Sequence, residues 1–251
     1  MAAKTEVLTQ PDYGIDAPHE MKRLFWRGGM TFALGLGLYV MNRVEAPGPG
    51  MALFVVLGLI GIALAAGGYV RYWSSKVAKA QYRDKILDAL PWRGDEKVLD
   101  VGCGRGLMAI GAAKRLAKGG RVIGVDIWSA EDLSGNSGES AMANAKAEGV
   151  ADKVRVENGD MRRLPYQPNS YDTVVSSLAL HNLADSGERD KALAEMWRVL
   201  KPGGHLAIFD VSYAGEYMAA LEKTGAEIVA QSGTLLLWCT PTRWFVARKG
   251  Q

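Results

Sequence analysis

Between Ala46 and Val70 the chain carries no charged residue, and from Met51 to Val70 nearly every position is apolar or glycine. At the 1.5 Å rise of an α-helix that second stretch is about 30 Å long, the thickness of a bilayer's hydrocarbon core. A helix buried in a soluble core needs only about 10–14 apolar residues and keeps a polar edge. The run therefore predicts a membrane-spanning helix over residues 51–70.

A second apolar stretch precedes it. Gly28 to Asn42 is uncharged, and Leu24, Phe25 and Trp26 extend it past Arg27, whose long side chain can reach toward lipid headgroups. Trp26 and Tyr39 fall where an aromatic belt would sit. Pro47-Gly48-Pro49-Gly50 reads as a breaker and turn between the two runs, so spans over 24–42 and 51–70 form a hairpin. Lys4, Lys22, Arg23 and Arg27 lie before it, and Arg71, Lys76, Lys79, Arg83 and Lys85 after it; the connection carries only Arg43 beside Glu45. The positive-inside rule then places both termini, and whatever follows, on the cytoplasmic side of an integral membrane protein. The basic run after Arg71 reads as a solvated helix face or as a contact with anionic lipid. The apolar run starts too late and is too long for a signal peptide, and a second one follows it. Three segments result: an N-terminal cytoplasmic piece over 1–23, the hairpin over 24–70 and a domain over 71–251.

That domain alternates strand and helix. A helix over 75–90 places Ile86, Leu87 and Leu90 on one face and stops at Pro91. Strands are expected at Lys97–Val101, Arg121–Asp126, Val154–Asn158, Thr173–Ser177, His205–Phe209, Glu227–Gln231 and Arg243–Arg248. Helices are expected at Leu107–Ala117, Ser140–Glu148, Arg189–Leu200 and Glu216–Thr224. Such alternation predicts an α/β fold, a Rossmann-like, mostly parallel seven-stranded sheet flanked by helices. Ligands of such sheets bind at the carboxyl ends of the strands. The balance of 30 Lys and Arg against 27 Asp and Glu, a net +3, gives no bulk charge for nucleic acid. Cys103 and Cys239 are far apart and flanked by no metal-ligand pattern, so neither a disulfide scaffold nor a metal site is expected.

The chemistry gathers at the predicted strand ends. Val98-Leu99-Asp100-Val101 runs into Gly102, Gly104 and Gly106 and then a helix, a turn that lets a ligand approach the backbone closely. A dinucleotide loop would place its third glycine one residue later, where Leu107 stands. Asp126 ends the next strand, where a carboxylate accepts from the hydroxyls of a ribose. Asp160 and Met161 follow a third strand and suit an adenine's amino edge and ring. From Trp128 to Gly138 a polar insertion follows Asp126, either a tolerated surface loop or part of an acceptor pocket.

Five segments, VLDVGCGRG, VIGVDIW, NGDMRRLPY, YDTVVSSLALHNL and LKPGGHLAIFD, stand in the order found in class I S-adenosylmethionine-dependent methyltransferases. Residues 75–250 resemble the type 11 group of that family. The resemblance implies S-adenosylmethionine as cofactor, with Asp100, Gly102, Gly104 and Gly106 around its methionine part and Asp126 on its ribose. It further implies Ile127 packed on the adenine, Asp160 and Met161 at the adenine edge, and the Ser177 backbone at the methionine amino group. Cys103 is a frequent filler at its position, so no nucleophilic role is expected of it.

Methyl transfer from a sulfonium is an in-line displacement in which the protein supplies chiefly alignment and shielding from water. A neutral amine, phenol or enol also needs a base, and His181, just after the fourth strand, is the best candidate, ahead of Asp210 and Tyr213. His19 and His205 are less suitably placed. The hairpin suggests a small lipophilic or lipid acceptor. Two other readings remain: a cofactor-binding but inactive membrane adaptor, and a nicotinamide-dependent oxidoreductase.

Overall fold

The computed structural model describes residues 10–42 and 47–251. Its first two elements are the apolar helices α1 (Pro18–Asn42) and α2 (Pro47–Trp73), which pack antiparallel through close backbone approach. A Cβ added at Gly28 would lie 2.8 Å from the carbonyl oxygen of Gly61, and one added at Gly61 would lie 2.9 Å from that of Gly28. Glycine at both positions is what permits the contact, as is usual where little hydrophobic force draws helices together. Tyr39 stacks on Phe54 at a centroid distance of 5.5 Å. Most other large side chains of the pair, among them Trp26, Met30, Leu34, Leu59 and Ile62, are exposed. Both helices are long and apolar enough to cross a membrane.

The expected turn at Pro47-Gly48-Pro49-Gly50 is instead the first turn of α2. A proline there loses nothing, because the first amides of a helix have no partner within it. Arg43 and Glu45 of the connection, and Lys4 near the N-terminus, lie outside the described residues.

Helix α2 does not stop at Val70. It passes through a π-helical turn, Ser74–Ala78, into α3 (Lys79–Asp88), making one rod from the apolar hairpin to the domain core. Trp92 closes α3 by donating its indole N–H to the Leu87 carbonyl at 2.6 Å. Of the basic run after Arg71, Lys79 and Arg83 are buried against the domain and Lys76 pairs with Asp12 at 2.6 Å, so the run is not an open lipid-facing patch.

The sheet order is β3-β2-β1-β4-β5-β8-β6 with β7 paired to β8. Strands β1 (Lys97–Val101), β2 (Arg121–Asp126), β3 (Val154–Asn158), β4 (Tyr171–Ser177) and β5 (Leu200–Val211) are parallel; β6 (Glu227–Gln231), β7 (Leu235–Leu237) and β8 (Thr240–Arg248) complete the antiparallel edge. Helices α3, α4 (Leu107–Ala113) and α5 (Gly138–Ala147) cover one face, where Ile86, Met108 and Ile110 meet Val98, Val175 and Phe209. On the other, α6 (Ser186–Val199) and α7 (Ala214–Glu222) bring Leu193, Met196 and Leu221 onto Leu99, Val174 and Phe245. Covered on both faces, β1 buries every residue from Val98 to Val101, which is why it is apolar there except at Asp100. The sheet has eight strands where seven were expected. The additional β7 is three residues long and turns into β8 through Trp238 and Cys239, both left-handed at φ 52° and 58° without the glycine that usually marks such a hairpin.

That hairpin fastens the domain to the rod. The Trp238 backbone N–H donates to Ser74 Oγ at 3.1 Å, its indole N–H to Ser75 Oγ at 2.9 Å, and the Asp16 N–H also to Ser75 Oγ at 3.1 Å. Ser75→Ala strands two donors at a buried junction and is expected to lower stability by about 2 kcal/mol, at about 1–3 kcal/mol per unmade bond. Urea unfolding of the full chain in neutral detergent, followed by near-ultraviolet circular dichroism, measures the loss.

Candidate functional site

The chain leaves β1 toward β2 and β3, then crosses back to place β4 on the other side of β1, so a crevice opens at the carboxyl ends of β1 and β4. Gly102 turns the chain out of β1 at φ 70°, and a Cβ there would stand 2.3 Å from that of Ala179. The loop is fixed from β2: Gly102 and Cys103 donate their N–H groups to the Val125 carbonyl at 2.8 and 3.2 Å, and Gly104 donates to Asp126 Oδ2 at 2.8 Å. Asp126 Oδ1 accepts from the Trp128 N–H at 2.6 Å. Trp128, Leu178 and Ser212, just beyond β2, β4 and β5, are non-glycine residues at positive φ, backbone strain of about 1–3 kcal/mol each, concentrated at the edge that carries the crevice.

A cavity of about 580 Å³ opens here, within the range of small-molecule sites. Asp100, Gly102, Gly104, Asp126, Ile127, Asp160, Met161, Ser177 and His181 all line it, so nine sequence-predicted residues come together. Gly106 does not line it. At φ 84° it turns the loop into α4, and its missing Cβ makes room for Ile110. Asp100 Oδ2 accepts from the Ala109 N–H at 2.8 Å, while Oδ1 is buried without a partner. Burial, with the nearby Asp126 charge, pushes the Asp100 carboxyl up to about 7 against the Ala109 hydrogen bond. The Arg162 guanidinium holds Asp160 below the usual carboxylate range. Burial raises the Cys103 thiol well above its ordinary value, which leaves it inert as a nucleophile.

His181 lies in a short 3₁₀ turn, Leu180–Asn182. Its backbone N–H donates to Asp210 Oδ2 at 3.0 Å and its Nδ1 stands 2.6 Å from Asp210 Oδ1. Asp210 is 1% exposed and also accepts from the Val211 N–H at 2.9 Å. A buried carboxylate on Nδ1 assigns the proton to that nitrogen and leaves Nε2 free as an acceptor. Asp210 thus stands behind the imidazole rather than on the cavity. Tyr213 does not line the cavity either; its ring lies under the Arg189 guanidinium at 3.9 Å.

Sequence reasoning missed the opposite wall. The segment Asp12–Ala17 lies along the insertion: Ile15 N–H donates to Ser134 Oγ at 2.8 Å, Ser134 N–H to the Ile15 carbonyl at 3.1 Å and Ala17 N–H to the Asp132 carbonyl at 2.9 Å. Leu133 of the insertion sits over Gly104, so the loop after β2 covers the glycine turn rather than hanging free. Buried Lys79 anchors the segment, donating to the Tyr13 carbonyl at 2.8 Å and to both Asp16 oxygens at 3.1 and 3.2 Å. Arg71, Trp238 and Thr240 complete the wall. The only signal for these residues was a lysine and an arginine directly following an apolar helix, where headgroup contact is the ordinary explanation.

Burial alone would lower the His181 pKa, but the Asp210 carboxylate, by charge and hydrogen bond, and Asp132 and Asp16 more weakly, raise it above the usual value. The pair's contribution to stability is therefore complete below the ordinary histidine pKa of about 6.5 and is lost as pH rises through the higher folded value. In an imidazole NMR titration His181 is expected to titrate above about 6.5 in the wild type and at lower pH in Asp210→Asn, where burial remains and the charge is gone.

Residues 98–204 match the family described as "Methyltransferase domain". A demethylmenaquinone methyltransferase of Lactiplantibacillus plantarum is 34% identical over 131 residues, 52% of this chain and 52% of that protein. The chain spans about half the length of the curated relatives it matches. Among solved structures, a putative methyltransferase from Bacillus halodurans shares the fold with a TM-score of 0.56 at 18% identity, covering 68% of this chain and all of that one (100%). The [4+2]-cyclase SpnF shares it at 0.58 and 20% identity, over 70% and 82% of the two chains. The five sequence segments thus lie around one crevice, in a domain that has the fold of known methyltransferases and matches the methyltransferase domain over residues 98–204.

Proposed function

We propose that the chain is a membrane-anchored methyltransferase that moves a methyl group from S-adenosylmethionine to a small lipophilic acceptor. The observation that carries the reading is the wall of the cavity: Ala17, next to the start of α1, and Arg71, in the last turn of α2, line the same space as the glycine loop and His181. Helices whose apolar side chains are exposed, and which are long enough to cross a bilayer, thereby supply part of the reaction chamber. An acceptor dissolved in lipid would meet the active site at its own depth. The likeness to a demethylmenaquinone methyltransferase agrees with a lipophilic acceptor.

The residues present suit the cofactor. Asp100 Oδ1 and Asn136 Oδ1 are buried without partners beside the cavity, and the glycine turn leaves backbone open where side chains would stand. In this reading Asp100, Gly102 and Gly104 surround the methionine part, with Gly106 shaping the loop from behind, and the Ser177 backbone meets its amino group. Asp126 takes the ribose hydroxyls, its carboxylate held in place by Gly104 and Trp128. Ile127, 66% exposed at the cavity edge, and Met161 hold the adenine, with Asp160 at its amino edge. Bound there, S-adenosylmethionine supplies an electrophilic methyl group on a sulfonium.

The chain's own contribution is alignment, exclusion of water and a base. His181 Nε2 receives the proton that a hydroxyl or amine acceptor gives up, and Asp210, fixed by the His181 and Val211 backbone N–H groups, holds the ring and stabilises the imidazolium. The basic flanks Lys22, Arg23 and Arg27 support a cytoplasmic domain in this reading, by the positive-inside rule. No metal cluster of His, Cys, Asp and Glu occurs among the described residues.

Asp126→Ala is expected to weaken S-adenosylmethionine binding more than tenfold, about 1.4 kcal/mol, in titration calorimetry; unchanged affinity would remove Asp126 from the ribose. Turnover is tested with detergent-solubilised protein, radiolabelled S-adenosylmethionine and total membrane extract of the source cells. The reading expects label in the organic phase. Label confined to the aqueous phase would separate the anchor from the acceptor. Intact cofactor binding with no label in either phase would favour a scaffold.

A further inference from the structure

Four cationic side chains line the cavity, and three of them are neutralised within the protein. Lys79 donates to Asp16 and to two carbonyls, Arg105 pairs with Asp12 at 3.3 Å and donates to the Ser134 carbonyl at 3.1 Å, and Arg162 bonds Asp160 and Glu188. Arg71 differs. Among the described residues it has neither an ion-pair partner nor a hydrogen-bond acceptor, and its Nε is buried. A guanidinium at the end of a membrane-length helix ordinarily extends toward headgroups and water. Here the helix end is pinned to the domain through Ser74 and Ser75, and Arg71, half-buried, lines the cavity together with Ala17 and Thr240.

Leaving a guanidinium partly buried and unpaired costs free energy unless a ligand supplies the acceptors. The carboxylates nearby do not do so. Asp16 is engaged by Lys79, Asp210 by His181 and backbone N–H groups, Asp126 by Gly104 and Trp128, and Glu131 and Asp132 of the insertion stand beyond 4.0 Å from Arg71. The guanidinium fork matches the paired oxygens of a phosphate or carboxylate.

We propose that Arg71 is the acceptor's recognition group: the acceptor is an amphiphile whose polar end carries an anionic oxygen group, held by Arg71 while its apolar part lies toward the hairpin. This rests on the methyltransferase reading above and narrows the substrate class of the same site. The charge would fix which end of the amphiphile enters, and it would set the methylated atom within reach of His181 by the distance between that atom and the anionic group.

The test uses the full chain in a neutral detergent, loaded with S-adenosylhomocysteine, titrated with dodecyl phosphate, dodecanol and inorganic phosphate and followed by tryptophan fluorescence, since Trp238 lines the cavity. Saturable dodecyl phosphate binding is expected, at least tenfold weaker in Arg71→Gln and several-fold weaker in Arg71→Lys, which keeps the charge and loses the fork. Dodecanol binding is expected to be indifferent to the substitutions. Retained S-adenosylhomocysteine affinity shows that a variant is folded; should Arg71→Gln lose it, Arg71→Lys carries the comparison. Equal dodecyl phosphate affinity in wild type and variant would overturn the proposal, as would no saturable binding at all. Inorganic phosphate binding as tightly as dodecyl phosphate would overturn the amphiphile assignment. A wild type that fails to bind S-adenosylhomocysteine would instead overturn the methyltransferase reading itself.

Discussion

The rod from Pro47 to Asp88 has two incompatible jobs. Its first half is apolar on all sides and leaves large side chains exposed, whereas its second half buries Ile86 and Leu87 beneath the sheet. The change of environment falls at the π-helical turn Ser74–Ala78, which places two serines side by side against the β7–β8 hairpin. Such widened turns often mark functional positions. Small hydroxyl side chains serve here because they accept from the Trp238 backbone and indole without holding the two elements apart. With the helix continuous and the hairpin bonded to it, the domain is attached as one unit, and the cavity keeps a fixed bearing on the apolar helices.

That bearing decides how the cavity is walled. The parallel half of the sheet alone provides a floor: the glycine turn, Asp126, Asp160, Met161 and the backbone after β4. The remaining side needs chain from elsewhere, and it comes from the segment that leads into α1. Asp12–Ala17 can lie on the insertion because Lys79, the first residue of α3, reaches under it and gathers the Tyr13 and Gly14 carbonyls with the Asp16 carboxylate. Burial pulls the Lys79 ammonium's pKa down, and Asp16 works against that pull. A buried lysine of this kind stabilises only while its partners stay in place, so the rod, the leading segment and the insertion hold one another in position.

The floor was legible in the sequence and the wall was not, for a physical reason. Strands are short and their ends must turn, so the central β1 and β2, buried on both faces, and the half-exposed edge strands β3 and β6 all fall on the residues expected of them. Strand β5 runs from Leu200 rather than His205 because Pro202 and Gly203 are carried into the strand's irregular start beside β4. The nine cavity residues foreseen all lie at or just beyond the carboxyl ends of strands, where chain connectivity alone places them near the crevice. Arg71, Trp238 and Asp16 reach the cavity through contacts between segments 59 to 164 residues apart, and no local pattern encodes such a meeting. Gly106 shows the converse limit: its motif position says nothing of its φ of 84°, which turns the loop into α4.

Carboxylates stand on the floor and on the wall alike, and their charge bears on the order of events. On the floor, burial, with a smaller push from the Asp126 charge, lifts the Asp100 pKa to about 7, and a cationic ligand would favour the ionised carboxylate. Near His181 the acidic character continues through Asp210, Asp132 and Asp16 and favours the imidazolium. In the proposed reading His181 is the base, and that field works against its neutral form. A sulfonium placed against the floor adds positive charge that offsets the carboxylates and shifts His181 toward the neutral form that accepts a proton. Binding of the cofactor first would thus prepare the base, and an anionic acceptor drawn to Arg71 would follow into a cavity whose net charge had become favourable to it.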